Sequence, residues 1–170
     1  ELKRFPSITF TDKTRFRFQA ENNIVIYNMS ESSAETVNNY PEEAGNLELE
    51  PVNNHLAYTL DHNIYISVDG EEKQITGDGK EGIEYGTSVH RNEFGIQKGL
   101  FWSPDGNYLA FYRMDETMVT GYPLVDITTR IAEVNYTKYP MAGMTSHEVT
   151  VGVYDIQQGT TIYLKTGLPA

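Results

Sequence analysis

Short apolar runs, each closed by a polar turn, recur along the chain and predict β-hairpins. The clearest one lies at residues 100–119, where an extended run ends at Trp102, a tight turn follows, and an aromatic and aliphatic run fills residues 108–112. Pro104 presets φ for the turn and Gly106 accepts a positive φ at little cost. Hairpins of a second type are predicted at residues 23–37, 63–76 and 149–164.

The hairpin at 100–119 has an earlier copy. Residues 50–58 (EPVNNHLAY) follow the same plan as residues 103–111 (SPDGNYLAF), so Pro51 corresponds to Pro104 and Leu49 to Trp102. Repeats of about 40–50 residues, each built from four short strands, are typical of β-propeller blades. We therefore expect an all-β fold, a partial propeller with three to four blades of four-stranded antiparallel sheets. An ordinary antiparallel β domain with similar hairpins is the alternative.

Two longer segments lack a clear period. Residues 77–99 are rich in glycine and predict a long loop, and residues 120–147 predict a second irregular segment, because Pro123, Pro140 and Gly143 interrupt any regular element. No apolar period of 3.6 residues is sustained over ten positions, so no helix is expected. The chain starts without Met and stops at a turn signal, and we expect it to be part of a longer protein.

The net charge of −11 is concentrated in one part of the chain. Residues 31–93 hold 14 of the 24 acidic residues and only three of the 13 basic ones. Nucleic acid is excluded as a partner, because phosphate contacts need a positive surface. The acidic window is either a solvated face or a surface that attracts a cationic group, such as the amino terminus of a peptide.

The usual signatures of cofactor and metal sites are missing. The chain has no cysteine, and its four histidines (55, 62, 90 and 147) stand at no metal-ligand spacing, so neither a metal nor a cofactor is expected. The GxGxxG match at residues 77–82 is followed by another turn rather than by the helix that a nucleotide site requires. No GxSxG nucleophile elbow is present, so no catalytic residue is assigned. No apolar run reaches the length of a membrane span.

The loop SVHRNEFGI at residues 88–96 is the best candidate for a binding site. Glu93 is flanked by Arg91, Asn92 and Phe94 just before the hairpin at 100–119. A carboxylate on a loop can bind an ammonium group through charge-assisted hydrogen bonds. The alternative is an exposed glutamate paired with Arg91 for little gain.

Several long motifs resemble one known family. The segments VHRNEFGI, LFWSPDGNYLAFYRMDETMVTGYPLVD, YPMAG and HEVTVGVYDIQQGTTIYLKTG are similar to the N-terminal β-propeller domain of the dipeptidyl peptidase IV family, above all its bacterial members and the prolyl tripeptidyl peptidases. The resemblance implies that residues 1–170 are part of an eight-bladed propeller. It also implies that the catalytic α/β-hydrolase domain is absent from this chain.

The resemblance implies a parent serine exopeptidase that releases N-terminal di- or tripeptides after proline. In such an enzyme the propeller gates the substrate and binds its free amino terminus, and Glu93 carries over to that role, with Asn92 and Arg91 beside it. The dipeptidyl enzymes show two adjacent glutamates at this place, whereas here Asn92 precedes Glu93. This difference favours the release of tripeptides. The alternative is a binding or scaffold propeller of the periplasmic TolB-like kind without peptidase activity, which also uses SPDG-type hairpins.

The partners expected on this interpretation are a peptide with a free amino terminus, the α/β-hydrolase domain of the same chain and a second copy of the protein. Open edge strands invite pairing with a neighbour, which favours a homodimer. The expected location is the periplasm of a bacterium, its cell surface or, after secretion, the medium.

Overall fold

The strands form three antiparallel sheets of four strands each, with an extra strand on the third sheet and a separate hairpin. The computed structural model describes residues 6–90 and 93–167. The first sheet contains β1 (Ile8–Phe10), β2 (Arg15–Ala20), β3 (Asn23–Asn28) and β4 (Ser33–Asn39). The second contains β5 (Gly45–Leu49), β6 (Leu56–Leu60), β7 (Asn63–Val68) and β8 (Glu71–Gln74).

The third sheet has a less regular connection. It is preceded by β9 (Ile83–Tyr85) and begins with β10 (Leu100–Trp102) and β11 (Tyr108–Asp115). A hairpin of β12 (Gly121–Asp126) and β13 (Glu133–Lys138) follows, and the sheet is then completed by β14 (Glu148–Asp155) and β15 (Thr160–Tyr163). The strand order is β10-β11-β14-β15, and β9 pairs with the far end of β11.

These sheets confirm the all-β fold class and the four-stranded antiparallel blades. The described residues contain three such blades, the lower end of the expected range, and no α-helix. Consecutive strands are neighbours in the first two sheets, as in the meander of a propeller blade.

The repeat found in the sequence is confirmed by matching hydrogen bonds. The backbone N–H of Glu50 donates to the carbonyl of His55 at 2.8 Å, and that of Ser103 donates to the carbonyl of Tyr108 at 2.9 Å. Both members of the second pair lie 53 positions after those of the first, which is the offset of the two proline turns. The flanking registers match in the same way, Leu49 with Leu56 and Trp102 with Leu109.

The main core lies between the second and third sheets. Its largest side chains are those of Tyr85, Phe111, Ile64 and Leu109, all at least 98% buried. Gly152 of β14 lies against the ring of Phe111, where a Cβ atom would overlap the ring. A smaller cluster joins the first and second sheets through Ile24, Tyr40, Leu56 and Tyr58.

The expectation of a loop throughout residues 77–99 was wrong in part. Ile83 and Tyr85 of β9 are buried and pair with Asp115 and Arg113 of β11. A strand of three residues is too short to show a hydrophobic period in the sequence, which is why it was not expected. It forms because β11 is long enough to pair with β9 as well as with β10. The loop proper is therefore residues 86–99.

The expectation of an irregular segment at residues 120–147 was wrong for residues 121–126 and 133–138, whereas residues 139–147 contain no strand or helix. Strands β12 and β13 pair over six positions and form a hairpin that we call the arm, residues 121–138. Pro123 does not prevent this pairing. Each strand of a two-stranded sheet is an edge strand, and on its open side no N–H group is needed for a hydrogen bond to a neighbouring strand.

Candidate functional site

The loop at residues 86–99 is fixed at both ends to a single residue of β11. The N–H of Gly86 donates to the carbonyl of Tyr112 at 2.9 Å, and the N–H of Tyr112 donates to the carbonyl of Gly99 at 3.0 Å. The two ends also cross closely, because a Cβ atom on Gly99 would overlap the carbonyl of Thr87. The loop therefore projects from a rigid base.

A serine hydroxyl closes the loop just above this base. Oγ of Ser88 lies 2.8 Å from the carbonyl oxygen of His90 and 3.0 Å from that of Ile96, and its single O–H is shared between these two acceptors. The hydroxyl group therefore links residue 90 to residue 96 across the bend of the loop. Such an arrangement presents a few residues to solvent in a defined position.

A short 3-10 turn, Glu93–Gly95, forms the tip of this bend. Phe94 in its centre has φ 55° and ψ 17°, an unusual backbone conformation for a bulky residue, and its side chain is 89% exposed. The Phe94 ring meets the ring of His90 edge to face, with centroids 5.7 Å apart. The structure thus presents a constrained turn at the position where the sequence predicts binding.

One of the predicted binding residues lies in this turn. Glu93 is its first residue. Arg91, Asn92 and the side chain of Glu93 lie outside the described part of the structure, so the grouping of these three side chains stays a prediction.

A cleft of about 360 Å³ lies next to the loop. Its wall on the loop side is formed by residues 88–90. Its other walls come from the end of β11 and the turn after it, from the end of the arm and the residues that follow, and from the residue before β14. The rings of His90 and His147, both in its lining, meet edge to face with centroids 6.2 Å apart. The remaining lining residues are Met114, Glu116, Val119, Lys138, Tyr139 and Pro140.

Glu116 is the acidic group of this cleft. Its side chain is half-buried, and burial together with the nearby charge of Glu84 raises the pKa of its carboxyl group above the usual range. Lys138 and His147 act in the opposite direction. The Lys138 ammonium group donates to the carbonyl of Val119 at 3.0 Å, so it is held by the backbone of the cleft wall.

A charged network fixes β9, the strand from which the loop starts. The hydroxyl of Tyr85 donates to Asp78 at 2.5 Å and accepts from Nε of Arg113 at 3.0 Å, and Arg113 also donates to Asp78 at 3.1 Å. The hydrogen bond from Tyr85, followed by that from Arg113, lowers the pKa of the Asp78 carboxyl group. Burial raises the pKa of the Tyr85 hydroxyl, which therefore stays a donor.

Sequence reasoning singled out the loop but missed Ser88 and Glu116 as parts of the site, and His147 as part of the cleft. Glu116 follows a strand in the sequence and looks like an ordinary turn residue. The pairing of β9 with β11 brings Glu116 beside residues 88–90, and no local sequence pattern predicts that pairing.

Within residues 6–90 and 93–167, no group of three or more histidine or acidic side chains is placed to hold a metal ion. No helix in this described part is long and apolar enough to cross a membrane.

Comparison with known proteins decides the family. The family model for the dipeptidyl peptidase IV (DPP IV) N-terminal region matches residues 3–169. The chain belongs to the dipeptidyl peptidase IV family. Among curated relatives, dipeptidyl aminopeptidase B of Saccharomyces cerevisiae is 32% identical over 148 residues, which cover 81% of this chain and 18% of the relative.

Solved structures of this family superpose on nearly the whole chain. A protein from Bacteroides ovatus, described as a dipeptidyl aminopeptidase IV, is 48% identical with a TM-score of 0.84, and the match covers 96% of this chain and 23% of that protein. Porphyromonas gingivalis dipeptidyl peptidase 4 shares the fold, with a TM-score of 0.72 at 23% identity, over 96% of this chain and 24% of its own. The chain thus spans about a quarter or less of these relatives.

Proposed function

We propose that this chain is the propeller portion of a serine exopeptidase that releases N-terminal di- or tripeptides after proline. The observation that carries the proposal is the family match over residues 3–169, which includes the loop with Glu93. Catalysis is assigned to an α/β-hydrolase domain of the same protein, because residues 1–170 contain no nucleophile elbow.

On this proposal the loop binds the free amino group of the substrate. An exopeptidase must hold one ammonium group at a fixed distance from its nucleophile, and that distance sets the number of residues released. Glu93 supplies the carboxylate, and the attraction is strong where the surroundings are partly desolvated. Arg91 and Asn92 flank it and complete the binding segment.

The structural support for this role is the anchoring of the loop at its two ends and at its neck. Its ends are fixed to Tyr112 and its neck is closed by Ser88, so the turn that begins at Glu93 is positioned before any substrate arrives. Preorganisation of this kind lowers the cost of binding. A propeller that carries such a loop also restricts access to the active site, which is the gating role.

We further propose that the full protein is a homodimer joined through the arm. Residues opposite each other in the β12–β13 register share a face, and one face therefore combines Pro123 with Tyr136 and Val125 with Val134. All four are exposed; Tyr136 is 72% and Val125 60% exposed. A second copy of the same face would cover these apolar residues and the open strand edges.

For the cellular location we propose the periplasm or the surface of a bacterial cell. The two solved relatives named above are bacterial. A chain without cysteine also has no thiol that could mispair in an oxidising compartment. Osmotic-shock fractionation and surface labelling of the producing bacterium test the location, and recovery only with cytoplasmic markers contradicts it.

The experiment that tests the peptidase proposal uses the full-length protein. Chromogenic Xaa-Pro and Xaa-Xaa-Pro substrates are compared in wild type, Glu93→Ala and the control Glu81→Ala, which alters an exposed turn residue before β9. We expect Glu93→Ala to lower kcat/KM sharply for one substrate length, and that length identifies dipeptide or tripeptide release. Failure of the wild type to cleave either substrate contradicts the proposal and favours a binding propeller of the TolB-like kind.

A further inference from the structure

The cleft beside the loop contains a partly buried carboxylate, that of Glu116. Glu116 is half-buried there, and among the residues that the structure describes none donates a hydrogen bond to its carboxylate. Lys138, a cation of the same cleft, donates one of its hydrogens to the carbonyl of Val119. A partly buried acidic group of this kind is stabilised by a ligand that brings a positive charge.

Three charged or titratable side chains among the described residues act on Glu116. Glu84 of β9 adds a second negative charge, while Lys138 of the arm and His147 before β14 oppose it. The net effect on the Glu116 carboxyl group is still a raised pKa, so the positive neighbours do not compensate for burial and for Glu84. A cationic group that enters the cleft beside Glu116 would offset burial and the charge of Glu84.

The cleft lies within reach of the proposed amino-terminus site. His90 forms part of its wall and is three residues before Glu93, so their Cα atoms are at most about 11 Å apart. The contact between the rings of His90 and Phe94 shows that the turn folds back toward this wall. A peptide whose ammonium group is bound at Glu93 can therefore extend its first side chain into the cleft.

We infer that the cleft is a subsite for the side chain of the substrate's N-terminal residue and that it selects lysine or arginine there. This inference rests on the proposed function. The aliphatic stem of the basic side chain packs against Met114 and Val119, and its charged end pairs with Glu116. The volume is at the small end of the range for ligand pockets, about 300–1,000 Å³, which suits one side chain rather than a longer peptide segment.

The test compares substrates that differ only in the charge of the first side chain. Full-length protein is assayed with one proline-containing peptide that begins with either lysine or norleucine, its uncharged analogue. We expect kcat/KM to be about tenfold higher for lysine in the wild type. In Glu116→Gln this ratio falls toward one, and because it is a ratio it does not depend on how much folded enzyme is present.

Glu148→Gln is the matched control. Glu148 is an exposed residue at the start of β14 and does not line the cleft, so this substitution removes the same charge outside the cleft. It should leave the ratio unchanged. Equal turnover of both peptides by the wild type overturns the subsite while leaving the peptidase proposal intact. A ratio that falls equally in Glu116→Gln and Glu148→Gln also overturns the subsite, because the preference for lysine then comes from the overall negative charge of the protein rather than from Glu116. No turnover of either peptide overturns the proposed function itself.

Discussion

Nε1 of Trp102 donates a hydrogen bond of 3.0 Å to the carbonyl oxygen of Glu48 and so joins the first strands of the second and third blades. Lys98 strengthens the same joint, because its ammonium group lies 3.0 Å from the carboxylate of Glu48. Since β10 follows directly after the loop that contains Glu93, the joint also fixes the loop relative to the neighbouring blade.

Trp102→Phe tests the importance of this joint for stability. The substitution keeps an aromatic ring but removes the donor, and it leaves a carbonyl group unpaired in a partly buried place. We expect a loss of about 2 kcal/mol in the free energy of unfolding. Tyr108→Phe, which removes a hydroxyl group from a side chain that is 45% exposed, should change it by less than about 0.5 kcal/mol. Equal stability of the two variants in urea unfolding would show that the joint contributes little.

Ser88→Ala tests whether the closed neck of the loop supports substrate binding. Loss of the hydroxyl group releases the carbonyl groups of His90 and Ile96, so the turn at Glu93 becomes less ordered before substrate binds. One hydrogen bond contributes about 1 kcal/mol, which corresponds to about a fivefold rise in KM with kcat unchanged. Ser33→Ala, at an exposed position in the first blade, should leave KM unaltered. An unchanged KM in Ser88→Ala would mean that the neck plays no part in binding.

Asp78→Asn tests the network beneath the loop through its pH dependence. The hydrogen bonds from Tyr85 and Arg113 lower the pKa of Asp78 in the folded protein, so they stabilise the fold above the unfolded-state pKa of about 3.9. This contribution disappears as the pH falls through the lower folded-state pKa. The Tm difference between wild type and Asp78→Asn should therefore be present at pH 7 and shrink at acidic pH.

Asp61→Asn provides the baseline for this comparison, because it makes the same change of charge in an exposed turn. A Tm difference for Asp78→Asn that stays constant with pH, or that grows on acidification, contradicts the assigned role of the network.

Much of the fold was predictable because the signals are local. The proline turns at residues 51 and 104 and the glycine at 106, which has φ 71°, specify hairpins from neighbouring residues alone. The recurrence of the hairpin after 53 residues then predicted blades of four strands each. The arm was missed because Pro123 and short runs of exposed residues do not look like a strand, and its pairing depends on the register with β13.

The candidate site was only partly predictable, for a related reason. Glu93 stands in a recognisable segment, but Glu116 gains its environment from β9, which is three residues long and pairs across a loop. His55 gives a second example, since the sequence places it in a turn while the structure buries it beside Trp102, with ring centroids 6.0 Å apart. Burial of this kind arises from contacts between blades, which a single sequence does not reveal.

Val125→Lys tests the proposed dimer. A lysine on the apolar face of the arm places a charge where a second copy would have to pack, so we expect the full-length protein to become a monomer in light scattering. Leu124→Lys is the matched control, because Leu124 lies on the opposite face of the same strand and is similarly exposed. Loss of the dimer in both variants, or in neither, contradicts an interface on the Val125 face.

The most direct test of the central claim asks whether Glu93 interacts with the ammonium group of the substrate. Wild type and Glu93→Gln of the full-length protein are each assayed with a proline-containing peptide whose amino terminus is either free or acetylated. If Glu93 binds the ammonium group, acetylation lowers kcat/KM strongly in the wild type and much less in Glu93→Gln, and the double-mutant cycle yields a coupling of about 2 kcal/mol. If acetylation lowers kcat/KM by the same factor in both proteins, Glu93 does not contact the amino terminus and the proposed role of this propeller is wrong.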